Sequence, residues 1–155
     1  MNTSQEIAFN RVKNLIENKN NDGKIIFLDA PGGTGKTFTL NVIISWIRMN
    51  KLEVAATATS GIAANLLYLG RTAHNRFKIP VDDINRLSTC NVARQSDTAK
   101  FLSNISLAII DEGPMLHKLC YEAIDRTMRD ISNKEDQHKK SGGKIVLISG
   151  DWRQV

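Results

Sequence analysis

A chain of 155 residues suits one domain that buries about 70% of its unfolded surface, and two compact domains would not fit comfortably. Its hydrophobic fraction of 41% and charged fraction of 24% are those of an ordinary soluble globular protein; no run reaches membrane-spanning length, and Met1 to Glu6 lacks the basic and apolar regions of a signal peptide. The net charge of +5 and pI of about 9.4 suit a polyanionic partner, and suit a modestly basic domain without one equally well.

Ile7, Ala8, Val12, Leu15 and Ile16 stand at helical spacing, so an amphipathic helix over residues 5 to 17 opens the chain and the polar stretch Asn18 to Gly23 ends it. Ile25-Ile26-Phe27-Leu28 reads as a short strand of the kind buried in a parallel sheet. It leads into Ala30-Pro31-Gly32-Gly33-Thr34-Gly35-Lys36-Thr37, a phosphate-binding loop. Glycines at 32, 33 and 35 let backbone N–H groups close on a polyphosphate, Lys36 adds positive charge, and Thr37 offers a hydroxyl to Mg²⁺. The positive end of the next helix, Lys36 to Met49, faces the same anion. Ala30 stands where the pattern usually has glycine; it is one methyl larger and is expected to be tolerated. Trp46 is expected in the core, among the apolar side chains of that helix.

Glu53 to Thr57 predicts a second strand and Ile62 to Leu67 a helix. Between them, Thr59, Ser60 and Gly61 either hold a phosphate of a nucleic-acid backbone or only cap the helix. Gly70 to Pro80 interleaves Arg71, His74, Arg76 and Lys78 with Phe77, which suits single-strand contact by charge and stacking, or a solvated loop with Phe77 turned inward. Residues 81 to 104 are polar, with a short helix expected around Ser96 to Leu102.

Leu107-Ala108-Ile109-Ile110-Asp111-Glu112 is a buried strand that ends in two carboxylates. Downstream of a phosphate loop, the first suits the Mg²⁺ shell and the second suits positioning or deprotonating the attacking water. A helix from about His117 turns Cys120, Ala123, Ile124, Thr127, Met128 and Ile131 to the core, and residues 132 to 143 read as a solvated connection. A last strand, Lys144 to Ile148, runs into Ser149-Gly150-Asp151-Trp152-Arg153-Gln154. Cys90 and Cys120 are isolated, which fits a reducing compartment, and with three histidines they show no paired metal-ligand spacing.

Together these stretches resemble the N-terminal motor lobe of the Pif-family (petite integration frequency) ATP-dependent DNA helicases of superfamily one. The resemblance spans nearly the whole chain. Asn2-Thr3-Ser4-Gln5 is similar to the family's adenine-reading motif, with Gln5 as the reader, and Ala30 to Thr37 to its motif one. Ala58 to Ala64 is similar to its first single-strand-contacting motif, Asp111 to Met115 to motif two, and Gly142 to Lys144 with Gly150 to Gln154 to motif three. Gly113 replaces the usual alanine, which is expected to loosen the backbone beside the carboxylates, and Trp152 replaces the usual phenylalanine.

The resemblance implies a RecA-like P-loop NTPase fold, an α/β domain with a mostly parallel sheet flanked by helices. In it the strand leading to Gln154 lies between those leading to Lys36 and Asp111, so that Gln154 senses the γ-phosphate. It implies an ATP- and Mg²⁺-dependent enzyme in which Lys36, Asp111, Glu112 and Gln154 are catalytic. Gln5, Gly32, Gly33, Thr34, Gly35, Lys36 and Thr37 would hold the nucleotide, and Thr37 with Asp111 the metal. Thr59, Ser60, Gly61, His74, Arg76, Phe77 and Trp152 would meet single-stranded DNA, along which the complete protein moves 5′ to 3′. The second helicase lobe, with its charge-stabilising arginines, is expected to be missing from these 155 residues. That makes the chain a fragment or a truncated gene product, able to bind Mg²⁺-ATP but slow to hydrolyse it. Genome maintenance follows from the same resemblance, by DNA repair, recombination or telomere maintenance in the nucleus or the mitochondrion, or as part of a mobile element. Two alternatives stand beside it: another phosphate-loop DNA-dependent ATPase, and a non-catalytic relic.

Overall fold

Leu107 to Ile110 and Ile145 to Ile148 are apolar at every position, which suits strands covered on both faces. They become the middle of the sheet. The computed structural model describes residues 1–19 and 22–154; Asn20 and Asn21 of the expected polar loop, and Val155, lie outside them. Its strands are β1 (Ile25–Asp29), β2 (Glu53–Ala58), β3 (Arg71–Thr72), β4 (Ile105–Asp111) and β5 (Ile145–Gly150). They form one sheet in the order β1-β5-β4-β2-β3, with every neighbouring pair parallel.

Side chains alternate across a strand, so each apolar run feeds two cores. Leu107, Ile109, Ile145 and Leu147 point to one face, where α1 (Thr3–Glu17), α2 (Lys36–Met49) and α3 (Gly61–Leu66) cover them. Ala108, Ile110, Val146 and Ile148 point to the other, under α4 (Ala73–Phe77), α5 (Asp97–Asn104) and α6 (Lys118–Ile131). Trp46 is half-buried on the first face, edge-on to Phe9 with ring centroids 6.0 Å apart. It packs against the core, as expected.

Two local expectations change. β1 is not a buried strand: it is an edge, with Ile25 and Phe27 exposed, because β5 covers one side of it and no described strand the other. A short apolar run does not distinguish a central strand from an edge. The connection from 132 to 143 is not simply solvated, since Ser141, Gly142 and Gly143 are buried against α6. The Ser141 N–H donates to Asp125 Oδ1 at 2.6 Å, and Gly142 takes a φ of +60° where a Cβ would overlap Ser132 Oγ. The polar stretch after α4 is likewise pinned to α6, by Arg126 Nε to the Ser88 carbonyl at 2.8 Å and the Cys90 N–H to Thr127 Oγ1 at 2.8 Å. Burial there pushes the Cys90 thiol up to about 11.

All five strands run the same way, so the loops leaving their C-terminal ends gather at one rim of the sheet. Those loops carry the phosphate motif, Thr59-Ser60, Glu112 and Gln154.

Candidate nucleotide site

The phosphate loop joins β1 to α2 and is braced from two sides. Its Ala30 N–H donates to the Gly150 carbonyl at 3.0 Å, tying it to the end of β5. Thr34 Oγ1 donates to the Pro31 carbonyl at 2.7 Å, closing the loop on itself. Gly35 is the N-cap of α2 with a φ of +79°, a left-handed conformation that strains any side chain. A Cβ there would also sit 2.5 Å from Gln5 Nε2. Ala30 is not among the left-handed residues, so its methyl brings no such strain.

Across the loop lies Asp111, the last residue of β4 and only 3% exposed. A buried carboxylate needs partners. Its Oδ1 accepts from Ser149 Oγ at 2.8 Å and from the Glu112 N–H at 2.9 Å, and Lys36 Nζ stands 3.5 Å away. The lysine of the phosphate loop and the acid of the strand are thus already a cation and an anion in contact. Ser149 was not singled out from the sequence, although a hydroxyl interrupting an apolar strand one register step beyond the Ile110–Ile148 pair is a readable signal.

Glu112 leaves the strand in a left-handed turn, with φ 54° and ψ 35°. Gly113 follows, buried, with the Tyr121 hydroxyl donating to its carbonyl at 2.8 Å. A Cβ on Gly113 would overlap Ile148 Cγ2 and lie 2.7 Å from that hydroxyl. Tyr121 and Ile148 thus occupy the space an alanine methyl would take, and the Tyr121 hydroxyl holds the backbone that was expected to be loosened.

Two cavities meet at Lys36. One, of about 360 Å³, is lined by Gly32, Lys36, Glu112, Gly150 and Gln154 among others. The other, of about 330 Å³, is lined by Gln5, Ala30, Thr34, Lys36 and Thr39 with parts of α1 and β1. The first sets Lys36 beside the carboxylates of Glu112 and Asp151, and the second lies between the phosphate loop and the start of α1. Gln5 ties the start of α1 to the phosphate loop at the second cavity. Its side chain completes a capping box at the start of α1, with Oε1 accepting from the Asn2 N–H at 2.9 Å, while Nε2 donates to the Thr34 carbonyl at 3.2 Å. A larger cavity of about 480 Å³ lies at the opposite end of the strands, near Ile105 and Ile145, and holds none of these groups.

The residues expected at DNA are spread more widely. Thr59 and Ser60 follow β2 at the rim and face Glu112; Ser60 also caps α3 by accepting from the Ala63 N–H at 3.2 Å. Gly61 begins α3. His74 is exposed on α4 beyond the β3 edge. Arg76 is half-buried, its guanidinium 4.6 Å from the Phe101 ring centre; burial, then Arg71 and Arg48, lower its pKa. Trp152 lies toward the other edge, its backbone N–H donating to Asp29 Oδ1 at 3.3 Å and its ring meeting Phe27 edge-on at 5.5 Å. Phe77 requires a correction. It is 1% exposed, on the buried face of α4 that it shares with Ala73 one turn earlier, so it offers no ring to a base, while His74 is exposed. Its ring is turned inward, as the second reading had it, but on a short helix and not in a solvated loop.

The model of the PIF1-like helicase family matches residues 1–155. The ATP-dependent DNA helicase Pif1 of Psychrobacter sp. (strain PRwf-1) is 32% identical over 134 residues, which is 86% of this chain and 20% of that protein. The ATP-dependent DNA helicase PIF4 of Trypanosoma brucei brucei is 29% identical over 137 residues, 86% of this chain and 16% of that one. Among solved structures, Bacteroides Pif1 in complex with ADP-AlF3 and single-stranded DNA superposes with a TM-score of 0.73 at 26% identity, covering 93% of this chain and 31% of that one. This chain thus spans about a fifth of the curated relatives' length and a third of the solved chain. Its parallel sheet, with the Gln154 strand between the Lys36 and Asp111 strands, has the order that the resemblance implied. The chain belongs to the PIF1-like helicase family.

Proposed function

We propose that these residues are the ATP-binding and hydrolysing wall of a DNA helicase motor. One observation carries the reading: Lys36, Glu112 and Gln154 line a single cavity at the C-terminal ends of three adjacent strands, with Asp111 directly behind Lys36. The relatives' names and the Bacteroides complex support it.

In this reading the phosphate tail lies over the loop from Gly32 to Thr37, against backbone N–H groups and the start of α2. Lys36 exchanges Asp111 for the β- and γ-phosphates, and its ammonium offsets their charge. Thr37 and Asp111 are hard oxygen donors of the kind Mg²⁺ takes, and the buried Asp111 carboxylate, already beside a cation, fits that role. The metal would supply further charge neutralisation on the phosphates. Glu112 accepts the proton of the attacking water, and Gln154, on the turn after β5, contacts the γ-phosphate. Gln5 reads the base.

No arginine lines the phosphate cavity among the described residues. An arginine supplied from outside is worth about 10³ to 10⁵ in rate. We therefore assign the other wall to a second helicase lobe, and expect these residues alone to bind ATP well and turn it over slowly. DNA crosses the rim at Thr59, Ser60 and Gly61, with His74 and Arg76 beyond them and Trp152 on the far side. The movement proposed for the complete motor is 5′ to 3′ on single-stranded DNA.

The test is titration of fluorescent single-stranded DNA at several salt concentrations. Two or three phosphate contacts predict a log–log salt slope of about −1.5 to −2 and little dependence on base sequence. Binding that ignores salt would remove DNA from the proposal and leave the ATPase alternative.

A further inference from the structure

The Glu112 carboxylate is not a loose side chain at the edge of a cavity. Its Oε2 accepts from Ser60 Oγ at 3.2 Å and stands 3.5 Å from Thr59 Oγ1. Thr59 has one hydroxyl proton, divided between that oxygen and the Glu112 carbonyl at 3.3 Å. Ser60 is differently placed. Its oxygen already accepts the Ala63 N–H at 3.2 Å, so its proton is left for Glu112. The backbone of the pair is fixed too, by the Thr59 N–H donating to the Asp111 carbonyl at 3.1 Å and by the Glu112 N–H on Asp111 Oδ1. One carboxylate oxygen is thereby anchored on β2's exit loop, and the residue lines the cavity it shares with Lys36 and Gln154.

We propose that Ser60 is a positioning residue for Glu112: its hydroxyl holds the carboxylate at the angle needed to take the proton of the attacking water. The inference rests on the reading of Glu112 as that proton acceptor. It assigns Ser60 work separate from capping and from any contact with DNA. The segment proposed to meet DNA is also the one that grips the base, so this hydroxyl is the shortest polar link between the two.

The experiment uses the 155-residue chain without DNA, so that the proposed DNA contacts play no part. Ser60→Gly removes the hydroxyl while leaving a residue that helix N-termini tolerate, and Ser60→Thr restores the hydroxyl and the cap. Single-turnover hydrolysis of bound ATP should fall about three- to tenfold in Ser60→Gly, the worth of one long hydrogen bond, and return in Ser60→Thr. ATP affinity should stay within about twofold, since the hydroxyl serves a group used only in the chemical step. In a Glu112→Gln background the same change should have no further effect. Independently of turnover, the carboxyl-carbon NMR signal of Glu112 should move in Ser60→Gly and return in Ser60→Thr. An unmoved signal, or an equal loss of rate with and without the Glu112 carboxylate, overturns the inference. Normal hydrolysis in Glu112→Gln itself would instead overturn the functional reading beneath it.

Discussion

Gly113→Ala restores the residue that the family pattern usually has, yet the packing beside Glu112 predicts that it destabilises this chain. The added methyl would overlap Ile148 Cγ2 and come within 2.7 Å of the Tyr121 hydroxyl. Ile148 is 7% exposed in the core under α6, so it has little room to move. Overpacking of this kind costs about 1–3 kcal/mol, and loss of the bond from Tyr121 to the Gly113 carbonyl adds about 1 kcal/mol. A total of about 2–4 kcal/mol lowers Tm by roughly 6–12 °C for a domain of this size. Thermal unfolding followed by far-UV circular dichroism reads this directly. Tyr121→Phe should cost about 1 kcal/mol alone, and clearly less in the Gly113→Ala background, because the hydroxyl it removes is one of the two clashing groups. A Tm within about 1 °C of the wild type for Gly113→Ala would refute the packing account, and with it the claim that Tyr121 and Ile148 fix the turn carrying Glu112.

Other consequences follow from the same geometry. Glu112→Gln should retain ATP binding and lose hydrolysis by about 10²- to 10⁴-fold in a rapid-quench assay, as removal of a general base does. Gln5→Ala removes half of the capping box and the brace on Thr34, so it should lower stability by about 1 kcal/mol and weaken the preference for ATP over GTP in competition binding. Arg76→Ala should reduce the salt slope of single-strand binding by about 0.7, the share of one phosphate contact. Burial pushes the Cys90 thiol up to about 11 and the Tyr121 hydroxyl up to about 12, so each stays neutral in the fold where the unfolded chain has begun to ionise. The stability they contribute is whole below about pH 8.5 and is lost as pH rises toward 11 to 12. Tm measured across that range should fall, and fall less in Tyr121→Phe.

The sequence carried the elements of the site because each is local. A glycine-rich turn between an apolar strand and a helix, and two carboxylates ending another strand, are patterns of a few residues, and the parallel sheet brings their ends together without further instruction. What it did not carry depends on neighbours far along the chain. Ser149 reaches Asp111 across 38 positions, Ser60 reaches Glu112 across 52, and neither pair has a spacing to read. The apolar run of β1 looked central and is an edge, since strand order is set by crossovers that the run does not encode. Phe77 among cations suited a stacking loop as well as a solvated loop with the ring turned inward, and the structure buries it on a short helix that neither reading named.

If the loop from Gly32 to Thr37 binds the phosphates of ATP through Lys36, titration of fluorescent ATP with Mg²⁺ separates the wild type from Lys36→Ala. Binding by the wild type should be saturable and should weaken about tenfold or more in Lys36→Ala, which loses charge-assisted contacts to phosphate worth at least about 1.5 kcal/mol. Both proteins should share the same fold by circular dichroism, because Asp111 keeps its bonds from Ser149 and the Glu112 N–H. Equal affinity in the two proteins, or no binding by either, would contradict phosphate binding through Lys36.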